Sequence, residues 1–549
     1  MSKKNKPKTA PKKPSEASKK DAPKNKKTAI IIAAAAIFLV VCILLGIFVV
    51  KPAVEKNKEP STVPTSSGDG VKLGNYTYVD YNGTQMAEEL AAVLNQAAID
   101  SAAACEKYGV AVTLGDRDIS RSEFHLYYLD QYRTQMTEVE YSKEKTGANR
   151  TGYDIDKLPD AQNHPTKDMT WAEEFTLKAI DVIKLNYAGF DMAIKTGVQL
   201  EENEIADVIM SYRRVENYAN QFQKEPDEYV AGIYTDGLTY SMFAAREIIV
   251  AYASKYESAK KLELYDSYSE EKVSKYLSEN DSDYKIIKAR VYPIEGEYDP
   301  VEVSKVNTEK EFLEFANGNY PYGGYYAETR TQCFYVTKTS IANTFGDEVA
   351  DWLFSSDRVP GETQVVEGQL FDYLCHVIEL PYYGTSCHIM SYEVDHNEAL
   401  DEEGKQAEVE KVEKMLEEWK NGDATPESFA EIAEMSSYTP ERDVRSGEYG
   451  YKINNWLFDK ARKPGDTAVF SDEYGIYMIY YVQKNEEDFD WNVYIRSEFA
   501  EEDYDSHFNE VSEGKIYEVD MNSSIVNRVV KTANVRITNQ INERKNEGK

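Results

Sequence analysis

The sequence predicts an α+β chain of several domains, a helical half followed by two units in which strands and helices alternate. Three observations carry that prediction. Apolar residues from Met86 to about Tyr276 recur at helical spacing. From Thr385 to Gln483 the signals run strand, two helices, strand, short helix, two strands. A tryptophan-centred pattern at 351–375 returns at 455–479 with no gap.

Residues 1–27 are Lys, Pro, Ala and Ser with almost nothing apolar, the composition of a disordered tail. Residues 28–50 follow as a transmembrane helix: Ala29 to Val50 is 22 residues without a charge. At about 1.5 Å per residue that run crosses a hydrocarbon layer of roughly 30 Å. Eleven lysines precede it, which places the N-terminus in the cytoplasm and the bulk of the chain outside. The run is longer than a signal-peptide core, no small-x-small cleavage site follows, and Cys42 lacks the small residues expected before a lipidated cysteine, so the anchor is expected to stay uncleaved. Residues 51–75, rich in Pro, Ser, Thr and Gly, read as a linker.

Residues 76–278 form the helical domain. Ser120 and Glu123 make a capping box before Phe124-His125-Leu126-Tyr127-Tyr128-Leu129. Further helices are expected at Trp171 to Thr196, Glu202 to Gln221 and Leu238 to Leu264. Val110 to Tyr132 reads as a strand-like piece, a turn and an aromatic-rich helix.

The last module, 384–484, opens on the apolar run Cys387-His388-Ile389-Met390. Val409, Val412, Leu416 and Trp419 share one face of the helix that follows. Asn421-Gly422 stops it, and Thr425-Pro426 caps and starts a second helix ending near Met435. Residues 279–383 repeat the plan. Trp352 precedes Gly361 by the interval that separates Trp456 from Gly465, and Tyr373-Leu374-Cys375 falls where Tyr477-Met478-Ile479 falls. Tyr284 to Ile294 supplies the opening strand, and Thr308 with Glu311 caps a helix at Phe312 to Ala316. The first helix is expected to be replaced by a loop around Asp299-Pro300, with Arg290 or a neighbour at the place of His388. In residues 485–549, Trp491 to Asn509 reads as a helix, and Gly514 to Thr538 is rich enough in Val and Ile to hold a strand.

Ser446-Gly447-Glu448-Tyr449-Gly450, Lys463-Pro464-Gly465-Asp466 and Tyr474-Gly475-Ile476-Tyr477-Met478-Ile479, placed after His388-Ile389-Met390, resemble the motifs of the parvulin class of peptidyl-prolyl isomerase. Those motifs read roughly His-Ile-Leu, Gly-Gly-Asp-Leu-Gly-Trp, Lys-Pro-Gly-Glu and Tyr-Gly-Tyr-His-Ile-Ile. Inside a longer anchored chain the module resembles that of the SurA/PrsA type of extracytoplasmic foldase, and Val110 to Tyr132 resembles the N-terminal chaperone region of SurA-like proteins. The resemblance implies a SurA-like helical chaperone domain, two parvulin-like modules of which the first is degenerate, and a C-terminal segment that returns to the helical domain. It also implies a bacterial cell-membrane protein assisting secreted proteins, with isomerase activity in the second module only.

Isomerising an X-Pro bond means crossing a barrier of about 18 to 20 kcal/mol without covalent chemistry. A catalyst must seat the ring in an apolar pocket and favour the twisted amide with polar groups. Parvulins commonly use two histidines and a Cys or Asp. On that pattern His388 takes the first histidine's place, Tyr477 the second's, and Thr439 falls near the Cys or Asp position. Hydroxyls can donate and accept in their stead. Trp456, Leu457, Phe458 and Tyr449 are the matching candidates for the proline-binding floor. The alternative is a fold that has lost catalysis and acts as a peptide-binding chaperone or scaffold, with His388 a satisfied core residue.

Neither cofactor nor metal is required. His388, Asp395 and His396 can be drawn as a metal site, but no fourth ligand is evident. A formal charge of −33, in a chain whose N-terminal lysines leave the remainder more acidic still, argues against nucleic acid; solubility alone accounts for it, and the alternative is a surface that favours neutral or basic clients. The expected partners are unfolded or newly secreted polypeptides containing X-Pro bonds and, through the anchor, the membrane. SurA-like proteins cradle clients as monomers or enclose them as homodimers, and the apolar faces here do not choose. Cys375 and Cys387 flank a short connection, so a disulfide competes with two buried free thiols.

Overall fold

The computed structural model describes residues 71–547 apart from 74–75, 295–298, 320–326, 369–370, 397–401, 437 and 473. The predicted tail, membrane span and nearly all of the linker therefore lie outside the described residues. Among those described, no helix is long and apolar enough to cross a membrane. The chain is a mixed α+β protein with several small antiparallel sheets. It divides into two units: one is the chain up to Glu257 with Asn509–Lys549, the other Ser258–Phe508.

The first unit opens with strands β1 (Val71–Leu73), β2 (Tyr76–Tyr81) and β3 (Thr84–Ala87). Asn82 and Gly83 both take positive φ, 53° and 89°, which lets two residues reverse the chain between β2 and β3. Helix α1 (Glu88–Tyr108), the hairpin β4 (Val110–Leu114) and β5 (Arg117–Ser120), and α2 (Arg121–Thr146) follow. Ser120 Oγ accepts the Glu123 N–H at 3.1 Å, the expected cap of α2. Next come α3 (Trp171–Thr196), α4 (Glu202–Gln221), α5 (Pro226–Ile233) and α6 (Tyr240–Ser267). A capping box at Thr170 and Glu173 starts α3, and Gly197, at φ 75°, ends it in the left-handed region. Tyr128, Tyr132, Tyr153, Trp171 and Phe175 are all buried and pack edge-on or tilted, so the aromatic stripe of α2 forms core here.

The second unit holds α7 (Glu270–Glu279) and two sheet modules. The first module runs β6 (Ile286–Ile294), α8 (Pro300–Val303), α9 (Glu309–Asn319), α10 (Ala327–Arg330), β7 (Gln332–Thr337), α11 (Lys338–Phe345), α12 (Asp347–Leu353), β8 (Thr363–Glu367) and β9 (Asp372–Tyr382). The second runs β10 (Thr385–Asp395), α13 (Glu402–Asn421), α14 (Pro426–Ala433), β11 (Glu441–Arg445), α15 (Tyr451–Leu457), β12 (Thr467–Ser471) and β13 (Gly475–Phe489). Their strand orders, β7-β6-β9-β8 and β11-β10-β13-β12, are the same, and every pairing is antiparallel. The first of these has only the four-residue α8, capped by Asp299, where the second has α13.

The likeness extends to single contacts. Gly361 and Gly465 have φ of 88° and 90°, and they donate to Val377 O at 2.7 Å and Tyr481 O at 2.9 Å. Arg358 lies over the Trp352 ring at 4.9 Å and Arg462 over Trp456 at 4.0 Å, each arginine also paired with an acid one turn on, Glu362 and Asp466. Phe345 meets Tyr373 edge-on at 5.3 Å, and Tyr449 meets Tyr477 at 5.6 Å. Each central ladder shifts register twice, and one of the shifts is shared, between Lys288 and Ala289 and between His388 and Ile389. By that register Lys288, across from Glu379, stands where His388 stands across from Gln483. Arg290 takes the place of Met390 and is buried, bonded to Glu309, Glu328 and Thr331.

Each sheet carries apolar side chains on both faces because strand residues alternate. Met390, Ile476, Met478 and Tyr480 pack against Val412, Leu416 and Phe429 of α13 and α14, with Val409 and Trp419 at the margin. Cys387, Ile389, Val444, Ile479 and Tyr481 pack against Ile453 and Leu457 of α15. Cys375 lies in the first module's core and Cys387 in the second's; both are free, as are Cys105 and Cys333.

Helix α16 (Asp490–Ser512) leaves β13 directly. The division between units falls inside α6 and α16, away from the boundaries near 278 and 485 read from sequence. The reason is a separate core of Tyr268, Val273, Ile495 and Ala500 that joins α7 to α16 within the second unit. Arg496 strengthens it by donating to Tyr268 O at 2.6 Å and pairing with Glu270. After Asn509 the chain belongs to the first unit. β14 (Val519–Met521) extends the sheet to β14-β4-β5, and α17 (Ser523–Glu547) packs on α2 and β4, with Val526, Val529, Ala533, Ile537 and Ile541 buried. Only three residues of the Val/Ile-rich 514–538 stretch are strand, since its apolar residues from Val526 on recur at helical spacing.

Gly384, between the two modules, has room for a hydrogen only. A Cβ there would lie 2.0 Å from Asp490 Oδ2 and 3.0 Å from Ile286 Cδ1, and Asp490 is fixed by its ion pair with Arg445 at 3.1 Å. Gly384→Ala is expected to cost about 1–3 kcal/mol in urea unfolding of the second unit; an unchanged midpoint would show that Asp490 can swing away.

Candidate functional site

Strand β10 carries two polar groups on opposite faces. His388 stands across from Asp443 on β11 and Gln483 on β13. Its Nδ1 is 2.8 Å from Asp443 Oδ1 and its Nε2 is 2.9 Å from Glu441 Oε1. Glu441 and Asp443 share one side of β11, whereas Arg442 and Val444 point to the side of Tyr449 and the α15 core. His388 therefore lies on the face away from α15. Its neighbours continue the polar strip: Asn485 Nδ2 donates to Asp443 at 2.8 Å and to Ser386 Oγ at 2.9 Å, and Ser386 Oγ donates to Asp488 at 2.6 Å. Arg445 closes it between Asp488 and Asp490. Burial raises the Asp490 carboxyl to about 6 against the pull of Arg445.

On the α15 face, alternate residues of β10 after Ile389 are Ser391 and Glu393, both buried. Glu393 Oε1 accepts from Ser391 Oγ at 2.7 Å and from the Tyr449 hydroxyl at 2.5 Å. Arg442 donates to the same hydroxyl at 3.0 Å and to Glu448 at 3.0 Å. Tyr477 stands directly across from Glu393 on β13, its ring edge-on to Tyr449, and its hydroxyl donates to Asp472 at 3.3 Å. Burial first, and then Asp472, raises the Tyr477 hydroxyl above the ordinary phenol value. Ser436 Oγ donates to Glu393 O at 3.0 Å, which ties the end of α14's connection to the strand.

Among the residues singled out by sequence, the structure brings together Tyr477 and Tyr449, with Trp456, Leu457 and Phe458 in the adjoining core. It does not bring His388 to them. His388 and Tyr477 face opposite sides of the sheet, and the residue paired with Tyr477 lies five positions beyond His388, roughly 16 Å along a strand. Thr439 lies exposed in the connection before β11, where Pro440 O accepts the Ser391 N–H at 2.8 Å. Leu457 is buried core, 1% exposed. Trp456 is edge-on to Phe470 and Tyr481 beneath Arg462, and Phe458 meets Tyr335 of the first module at 6.0 Å. His396 is at the far end of β10 from His388, with Nε2 3.0 Å from Ser471 Oγ and 3.0 Å from Asp472 O. Among the described residues, no group of three or more His, Cys, Asp or Glu is arranged to hold a metal ion.

Sequence reasoning missed Glu393, Ser391 and Arg442. A signal was present: Glu393 continues the alternation Cys387, Ile389, Ser391, placing a carboxylate on a face that is otherwise buried. No family model matches the chain, and no curated protein matches it.

The geometry around His388 implies a pH dependence. Burial alone would lower its pKa, but hydrogen bonds to Glu441 and Asp443 outweigh it and the net shift is upward. The imidazolium's stabilisation is thus fully present below the unfolded histidine value of about 6.5 and is lost as pH rises through the folded pKa above it. In urea unfolding the stability difference between wild type and His388→Ala is expected to shrink from pH 6 to pH 8, by less than about 1 kcal/mol because both carboxylates are half-exposed; groups that both proteins share, Asp490 among them, cancel in that difference. A difference that does not change with pH would remove the imidazolium from the fold's energetics.

Proposed function

We propose that the chain is a membrane-anchored extracytoplasmic folding factor of the SurA/PrsA type. In this reading the helical unit holds unfolded secreted polypeptides, and the second of two parvulin-like modules acts as a peptidyl-prolyl isomerase. The observation that carries it is the second module's element order, β10-α13-α14-β11-α15-β12-β13 with strand order β11-β10-β13-β12, together with Tyr449, Trp456 and Tyr477 on the α15 face. The tether to the membrane rests on the sequence of residues 28–50.

The reaction asks for an apolar seat for the ring and for donors that meet the carbonyl as the amide twists. The α15 face supplies aromatic side chains from Trp456, Phe470 and Tyr477 beside the hydroxyls of Tyr449 and Tyr477. His388 faces the other way and plays no part in the step. A second reading, peptide binding without chemistry, is favoured by one observation: Tyr449 and Ser391 already spend their hydroxyl protons on Glu393.

A protease-coupled proline-isomerisation assay on the full chain separates the two. Isomerase function predicts wild-type acceleration that falls about tenfold or more in Tyr477→Phe and stays within about twofold in His388→Ala. Suppressed aggregation of unfolded clients with no acceleration would establish the binding reading, and failure of both would sink the assignment.

A further inference from the structure

Where β6 pairs with β7, the first module carries a residue that has no counterpart in the matching pairing of β10 with β11. On β7, Lys288 faces Phe334 and Ile287 faces Val336, so Tyr335 is skipped. On β11 the matching pairs, His388 with Asp443 and Cys387 with Val444, are consecutive. Tyr335 is thus the extra residue of a β-bulge, and its φ of 59° lies in the left-handed region that bulky residues rarely occupy. The bulge lets Cys333 and Val336 both turn into the first module's core and aims the Tyr335 side chain the other way.

The side chain reaches the second module. The Tyr335 hydroxyl donates to Asn455 Oδ1 on α15 at 2.9 Å, and its ring lies against Phe458 at 6.0 Å. Gly447 fits beside the Tyr335 backbone, its Cβ position 3.5 Å from Tyr335 O. Lys288 covers the other side of the ring at 4.6 Å, and Glu379 bridges Lys288 and Lys460 at 3.7 and 3.3 Å. Next to Asn455, Asn454 accepts the Gly447 N–H at 3.2 Å and donates to Tyr449 O. One chain of contacts therefore runs from Tyr335 through α15 to the turn that presents Tyr449 to Glu393.

We propose that the first module is the permanent internal partner of the second, and that Tyr335 is the positioning residue through which it fixes α15 and the Gly447 to Tyr449 turn. Backbone strain at a bulge persists where the surroundings impose it, and here Asn455, Phe458 and Gly447 of the other module supply part of those surroundings. The inference does not depend on what the second module does to a client.

Hydrogen exchange on the full chain tests it at the Asn454 and Phe458 amides, which donate to Gly450 O and Asn454 O. Glycine accepts positive φ without strain, so Tyr335→Gly cuts the contact without adding backbone strain at the bulge. Exchange at those amides is expected to rise about fivefold or more, with β6, β9 and β13 amides unchanged. Asn455→Ala, which cuts the same bond from the other side, should reproduce the effect, and Tyr335→Phe combined with Asn455→Ala should be no worse than Asn455→Ala alone. Unchanged protection at Asn454 and Phe458 in both Tyr335→Gly and Asn455→Ala would overturn the proposal, as would acceleration spread equally over β13.

Discussion

In each sheet module the long opening strand pairs with the long closing strand, β6 with β9 and β10 with β13, and the other elements depend on that ladder. It joins the two ends of a module, so the intervening helices and shorter strands fold inside a closed loop. The entropy of closing such a loop grows only slowly with its length, which explains how one module can carry α13 and the other a four-residue turn of helix at the same place. The edge strands β7, β8, β11 and β12 then add to a frame already set. Each central strand also feeds two cores, so a change of register in the ladder would empty both.

That dependence separates what the sequence shows from what it hides. Helix ends were legible where the backbone needs a side-chain partner: Ser120 with Glu123 and Thr425 before Pro426 mark starts that the structure keeps. The repeat was legible because Trp352 and Trp456 keep their distance from a glycine that must take positive φ. The separation of His388 from Tyr477 was not. It depends on the register that sets Tyr477 across from Glu393, and a register belongs to a pair of strands that lie far apart along the chain. The same holds for Tyr335, whose departure from the repeat appears only when β6 and β7 are set side by side.

The two modules also differ in how they treat charge at the shared shift. Lys288 is partly withdrawn from water between the Tyr335 ring and Glu379, and burial lowers its pKa. His388 meets two half-exposed carboxylates, which raise its pKa against burial. One position on one scaffold thus holds a basic side chain as part of a contact between modules in the first case, and as a clamp between β10 and β11 in the second.

The α15 face poses a question of donors. A twisted amide keeps its carbonyl oxygen as an acceptor, so a carboxylate beside it is the wrong partner and a hydroxyl the right one. Glu393 takes the protons of Ser391 and Tyr449 in bonds of 2.7 and 2.5 Å, charge-assisted contacts that a client carbonyl would have to displace. Tyr477 is held differently: its bond to Asp472 is 3.3 Å, beyond the usual range for one hydroxyl and one oxygen. A client carbonyl at 2.8 Å would offer that hydroxyl a better bond than it now has. Glu393 holds Tyr449 by its hydroxyl, and the Tyr449 ring packs edge-on against Tyr477, so on the proposed isomerase reading the carboxylate that is the wrong partner for a client carbonyl would build the wall beside the hydroxyl that is the right one.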